Sequence, residues 1–126
     1  MILITGGAYQ GKLEVAKNLC KKKYPVIAEG ESASQKELEQ ADIIAHFHLY
    51  IKRLMEEGGV PENQVRELIQ RNPGVILEIT QLGCGVVPME VFDRSYREKV
   101  GRISCQLAET AEAVYLVNCG ISKRLK

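Results

Sequence analysis

Neither sign of charge is in excess. Seventeen Lys and Arg face sixteen Asp and Glu, leaving a net charge of +1 and a pI near 7.6. No global attraction to nucleic acid or to an anionic membrane is therefore expected. No apolar run approaches the roughly 20 residues of a membrane span. The four cysteines, Cys20, Cys84, Cys105 and Cys119, are scattered without a C-x-x-C pair, which excludes zinc spacing and argues against a disulfide framework. Three of them read as small core residues, whereas Cys84 sits between two glycines in a loop. No basic-then-apolar leader precedes the first apolar segment, so Met1 is expected to begin the fold and the chain to be cytoplasmic. Linkers, internal repeats and low-complexity segments are also missing. With 126 residues, the expectation is one domain over 1–126, small for a complete nucleotide kinase.

What is present begins at the first residue. Met1-Ile-Leu-Ile-Thr5 reads as a buried strand and runs into Gly6-Gly7-Ala8-Tyr9-Gln10-Gly11-Lys12-Leu13. Gly6, Gly11 and Lys12 fit the phosphate-binding loop pattern at every position but the last. Glycines let backbone N–H groups turn inward around phosphate oxygens, the following helix directs its positive end at them, and Lys12 adds a full charge. The position after the lysine should carry a hydroxyl to hold Mg²⁺; here it is Leu13. The loop, Gly6 to Leu13, thus argues for nucleotide or phosphate binding more strongly than for catalysis. The alternative is a structural glycine turn with a solvated lysine.

Hydrophobic period lays out the remaining elements. The loop helix is expected to reach about Tyr24, with Lys21-Lys22-Lys23 at its solvated end, and a short strand to cover 26–28. Ser34 should cap one long helix reaching Glu57, whose stripe is Ile43, Ile44, Phe47, Ile51, Leu54 and Met55. Pro61 starts a further helix, and 75–79 reads as a buried strand followed by the loop Gly83–Pro88. A helix over about 93–110 carries Tyr96, Val100, Ile103 and Leu107 on one face. Strands at 114–117 and near Arg124-Leu125 complete the chain. Strands alternating with helices predict an α/β fold: a mostly parallel, three-layer P-loop NTPase-like (RecA-like) sheet flanked by helices, with a short antiparallel C-terminal strand. In such sheets ligands bind beyond the carboxyl ends of the strands, which groups the Gly6–Leu13 loop, Glu29 to Ser32, and Gln81 to Pro88.

Later blocks carry a family likeness. Leu82-Gly83-Cys84-Gly85-Val86-Val87-Pro88, then Gly101-Arg102-Ile103-Ser104-Cys105-Gln106-Leu107-Ala108, then Ala113-Val114-Tyr115-Leu116-Val117-Asn118-Cys119-Gly120-Ile121, closing on Arg124-Leu125-Lys126, resemble the adenosylcobinamide kinase/adenosylcobinamide-phosphate guanylyltransferase family. The likeness covers residues 1–20 and 74–126. Several departures accompany it. The family's loop serine is Gln10, its metal-binding serine is Leu13, and its Asn-Glu pair is Thr80-Gln81; much of its middle region is missing. The chain resembles a short, divergent branch.

The resemblance implies a two-step transferase of cobalamin biosynthesis or salvage. It would phosphorylate adenosylcobinamide with GTP or ATP, then move GMP to the phosphate through a guanylylated histidine. Nucleotide and corrinoid are the implied small-molecule partners, together with a homo-oligomeric assembly. Lys12 would neutralise phosphate charge. A nucleophilic histidine must be neutral, reachable and oriented by a partner on its other nitrogen, and only His46 and His48 exist. On one helix they would point about 200° apart. His48 would then lie at the edge of the apolar stripe as a packed residue, and His46 on the polar face as the candidate nucleophile or a plain surface histidine. Glu78 is the strand-end acid best placed for Mg²⁺, with Glu29 and Glu31 in reach; the alternative for it is a solvated carboxylate. Arg102 would clamp phosphate or simply be exposed on its helix. A second reading, favoured by Leu13, Thr80 and Gln81, is a degenerate relative that binds nucleotide or corrinoid without turnover in a regulatory or partner-subunit role. A third is an unrelated small-metabolite kinase.

Overall fold

The computed structural model describes residues 1–82 and 90–126. Along the chain run β1 (Ile2–Gly6), α1 (Lys12–Leu19), β2 (Ile27–Glu29), α2 (Gln35–Gln40), β3 (Ile43–Ala45), α3 (Phe47–Glu56), α4 (Pro61–Arg71), β4 (Ile76–Thr80), α5 (Val91–Thr110), β5 (Ala113–Asn118) and β6 (Ile121–Arg124). The strands form one sheet in the order β2-β3-β4-β1-β5-β6. The first five are parallel and β6 is antiparallel to β5. This is the expected three-layer, mostly parallel architecture with a short antiparallel C-terminal pair. The expected loop at 83–88 lies outside the described residues.

Two apolar clusters hold the layers together. The larger joins Leu3, Leu77, Ile79 and Val114 of the sheet to Phe47, Ile51, Leu54, Leu68 and the Tyr96, Val100, Ile103, Leu107 stripe of α5. The smaller lies on the opposite face, where Val15 and Ala16 of α1 cover Ile4, Ile43, Ile76 and Val117. Central β strands buried on both faces need continuous rather than alternating apolar sequence. β4 shows this, since all five of its residues are buried. Its middle residue is Glu78, a charge in a strand that otherwise has none.

The long helix expected from Ser34 to Glu57 is not one helix. Ser34 does cap, accepting from the Glu37 N–H while the Glu37 side chain accepts from Ser34 N–H in a reciprocal capping box. That helix ends after Gln40. Ile43-Ile44-Ala45 then forms β3, paired on one side with β2 and on the other with β4. The physical reason is burial. Both isoleucines are fully buried, Ile43 on the α1 face and Ile44 on the opposite one, which a strand's period of two achieves and a single helix stripe does not. Asp42 secures the strand's entry by accepting from Val26 N–H at 2.8 Å and pairing with Lys22 at 2.7 Å.

Other expectations also shift. α1 stops at Leu19, so Lys21 to Lys23 lie beyond the helix rather than at its last turn. Of the three cysteines expected in the core, Cys20 is half-buried against the smaller cluster, whereas Cys105 and Cys119 are exposed. If β3 is a central strand, Ile44→Ala empties a fully enclosed site. It should lower unfolding free energy by about 2–5 kcal/mol in denaturant titration, and a loss under about 1 kcal/mol would contradict the strand's placement.

Candidate functional site

The carboxyl ends of β1, β2 and β3, with Glu78 from the middle of β4, bring together Lys12, Glu29, His46 and Glu78. β1 delivers the loop Gly7–Gly11, and α1 begins at Lys12 after Gly11, whose backbone is left-handed at φ 89°. Gly6 has no room for a side chain, because a Cβ there would lie 2.5 Å from the Val117 carbonyl oxygen. Lys12 folds back over the loop. Its Nζ donates to the Gly7 carbonyl at 2.6 Å and stands 3.5 Å from Glu78 Oε1. Both side chains are nearly enclosed, 5% and 4% exposed. A buried cation of this kind is tolerable only because it is paired and hydrogen-bonded.

Glu78 therefore is not the solvated strand-end carboxylate of the alternative reading. Its second oxygen, Oε2, accepts from the backbone N–H of His46 at 2.8 Å. His46 occupies the single residue between β3 and α3 and has a left-handed backbone (φ 53°, ψ 50°). It is not a helical surface residue. Its Nδ1 lies 2.9–3.0 Å from both carboxylate oxygens of Glu29, and about half of the side chain is exposed. The hydrogen bond with the Glu29 carboxylate raises its pKa above 6.5, with burial opposing the shift.

His48 is the second residue of α3, buried, with its ring centroid 5.9 Å from that of His46 in an edge-to-face arrangement. The expected divergence of about 200° on one helix fails because His46 precedes the helix. Burial holds His48 neutral, with a pKa lowered to about 4. Its Nδ1 faces the Thr80 N–H at 3.4 Å, and its carbonyl accepts from the Tyr96 hydroxyl at 2.9 Å. These contacts make it the packed residue that pins α3 to the end of β4.

The remaining sequence-derived residues fall into two groups. Ala8 and Tyr9 form the exposed apex of the loop, Tyr9 with φ 59°. Gln10 turns away from the apex and accepts from Cys119 N–H through Oε1 at 2.7 Å. Arg102 is not brought into this cluster. It lies on the exposed side of α5 and pairs with Glu98 one turn earlier. Glu31 is exposed beyond Glu29. Sequence reasoning missed the Glu29–His46 pair because β3 was hidden inside an apparent helix; the signal available was the adjacent pair of β-branched residues, Ile43-Ile44, after Ala41-Asp42.

Leu13 and Glu78 bear on Mg²⁺. Leu13 packs against the smaller apolar cluster, and both oxygens of Glu78 face donors within the protein. Among the described residues no group of three His, Cys, Asp or Glu is arranged to hold a metal. These residues do not fit a protein-held magnesium ion.

The two histidines should separate cleanly on titration. The unfolded state protonates His48 near 6.5 and the folded state near 4, so its contribution to stability is present above 6.5 and falls as pH drops between these values. His46 has the opposite sign: its contribution is present below 6.5 and disappears as pH rises through its raised pKa. In a ring-proton NMR titration, His46 should move above pH 6.5 while His48 stays unmoved until pH nears 4. A buried-residue signal moving at 6.5 would contradict this site.

Comparison with known proteins gives the site its context. The family model described as cobinamide kinase / cobinamide phosphate guanyltransferase (CobU) matches residues 43–125, a range that includes His46, His48 and Glu78 but not the Lys12 loop. The bifunctional adenosylcobalamin biosynthesis protein CobU of Escherichia coli (strain K12) is 40% identical over 58 residues, 45% of this chain and 32% of that protein. Its counterpart from Salmonella typhimurium (strain LT2) is 38% identical over 58 residues, with the same coverage. The matched stretch thus spans about a third of these curated relatives. No helix among the described residues is long and apolar enough to cross a membrane. With a match over most of its length, the chain belongs to the CobU family, cobinamide kinase / cobinamide phosphate guanyltransferase.

Proposed function

We propose that the chain is a nucleotide-dependent transferase acting on cobinamide, in which the Gly7–Lys12 loop binds the polyphosphate tail of GTP or ATP and His46 carries GMP. The observation that carries this reading is His46: Nδ1 held by Glu29, the backbone N–H held by Glu78, and half the side chain open. Among the described residues nothing hydrogen-bonds its Nε2. A ring fixed through one nitrogen and free at the other is the arrangement a nucleophilic imidazole requires.

In the guanylyl step, Nε2 of neutral His46 attacks the α-phosphorus of GTP. A nitrogen–phosphorus bond forms as the bond from that phosphorus to the β-phosphate bridging oxygen breaks, and pyrophosphate leaves. A phosphate oxygen of cobinamide phosphate then attacks the same phosphorus, the nitrogen–phosphorus bond breaks, and the imidazole is restored. In the kinase step, the substrate hydroxyl oxygen attacks the γ-phosphorus, its proton passes to solvent, and the nucleoside diphosphate departs with the former bridging oxygen. The protein's part in both steps is charge placement. Lys12 gives up its bond to the Gly7 carbonyl for phosphate oxygens, and Glu78 keeps the ammonium aimed at the loop. Glu29 stabilises the imidazolium when the ring is protonated. Because Nε2 must be unprotonated to attack, guanylylation should rise with pH through the raised pKa of His46.

The competing reading, a nucleotide or corrinoid binder without turnover, draws on Leu13, whose packed side chain supplies no hydroxyl. One experiment separates the two. Protein incubated with GTP labelled at the α-phosphorus and then denatured should retain an acid-labile adduct, abolished by His46→Ala. Tight GTP binding with no adduct would overturn the transferase reading in favour of the binder.

A further inference from the structure

The phosphate loop has a second anchor that its sequence pattern does not require. β5 and β6 are joined by a two-residue turn, Cys119-Gly120, with Asn118 paired to Ile121 across it. Both turn residues have positive φ, 51° and 75°, the combination that suits the twist of a tight hairpin. In such a turn the two central N–H groups are not used by the ladder. Here both point at one residue from the other end of the chain: Cys119 N–H donates to Gln10 Oε1 at 2.7 Å, and Gly120 N–H to the Gln10 carbonyl at 2.8 Å. Because an N–H can only donate, the amide oxygen, not the amide nitrogen, of Gln10 must face the turn.

The fit around these bonds is close. A Cβ on Gly11 would lie 3.1 Å from Gly120 Cα, so loop and turn are in direct backbone contact. Tyr9, immediately before Gln10, has φ 59° and no glycine freedom. A left-handed backbone at a non-glycine is strained and persists only where neighbours over-determine it. The double hold on Gln10 supplies that constraint.

We infer that Gln10 is a positioning residue that latches the phosphate loop to the β5–β6 turn and thereby sets the loop's affinity for a polyphosphate. The latch does not touch the ligand. It acts by holding the loop N–H groups in their binding arrangement before the anion arrives, so that ordering the loop does not have to be met from binding energy. This rests on the phosphate-binding role proposed above for the loop.

Gln10→Met is the informative variant, since it keeps length and bulk and removes only the acceptor; Gln10→Ala guards against a methionine-specific effect. Inorganic tripolyphosphate, which carries no base, is the probe. Calorimetry should show both variants binding it about fivefold to tenfold more weakly, the equivalent of one lost hydrogen bond, with the thermal midpoint nearly unchanged. Amide exchange provides a readout that a merely structural role would not move. Tripolyphosphate should increase protection of the Cys119 and Gly120 N–H groups in the unmodified protein, and Cys119 should lose that increase in Gln10→Met. Equal affinity in the variants, or no ligand-linked protection at the turn, would overturn the latch alone. No tripolyphosphate binding by the unmodified protein would overturn both the latch and the loop's phosphate role.

Discussion

A lysine and a glutamate with almost no solvent exposure stand 3.5 Å apart at the carboxyl end of a sheet otherwise filled with Ile, Leu and Val. Ions so placed destabilise a fold unless every partner is present. Glu78 meets that demand twice, facing Lys12 with one oxygen and the His46 N–H with the other. Through this carboxylate the loop after β1 and the turn after β3 are fixed to β4, which lies between them. Removing the carboxylate would strand a buried ammonium and release the residue that precedes α3. The pair therefore constrains both the Gly7–Lys12 loop and the histidine.

Much of this was legible beforehand, and the parts that were not share a cause. The turn from β1 into α1, β4, β5 and the inward stripe of α5 follow from apolar period and glycine placement, signals local to each segment. β3 was hidden because Phe47, Ile51 and Leu54 do form a helical stripe in α3, and Ile43-Ile44 extend it at a compatible spacing. Only pairing with β2 and β4, a nonlocal fact, decides between strand and helix there. With β3 obscured, His46 appeared to be a helical surface residue and Glu29 merely an acid in reach. Leu13 and Gln10 were visible as departures from the family pattern. Their structural roles, packing beneath α1 and holding the C-terminal turn, needed the partners on the page.

The geometry also links the two halves of the sequence. The family match covers 43–125, yet the site it contains is completed by Lys12 and Glu29, which precede that range. His46 and Glu78 lie inside it. Glu78, from within the matched region, neutralises Lys12, from outside it, and Gln10 is held by Cys119 and Gly120 across the same boundary. A sheet in which β1 is inserted between β4 and β5 makes these contacts unavoidable: the first strand's loop must abut the ends of strands that come last.

The most direct test is a crystal structure with GTP bound. The account predicts triphosphate oxygens within hydrogen-bonding distance of the loop N–H groups, Lys12 Nζ moved from the Gly7 carbonyl onto phosphate, and Glu78 still spanning Lys12 and the His46 N–H. GTP bound elsewhere, or Lys12 still closed onto Gly7 beside an occupied loop, would contradict it.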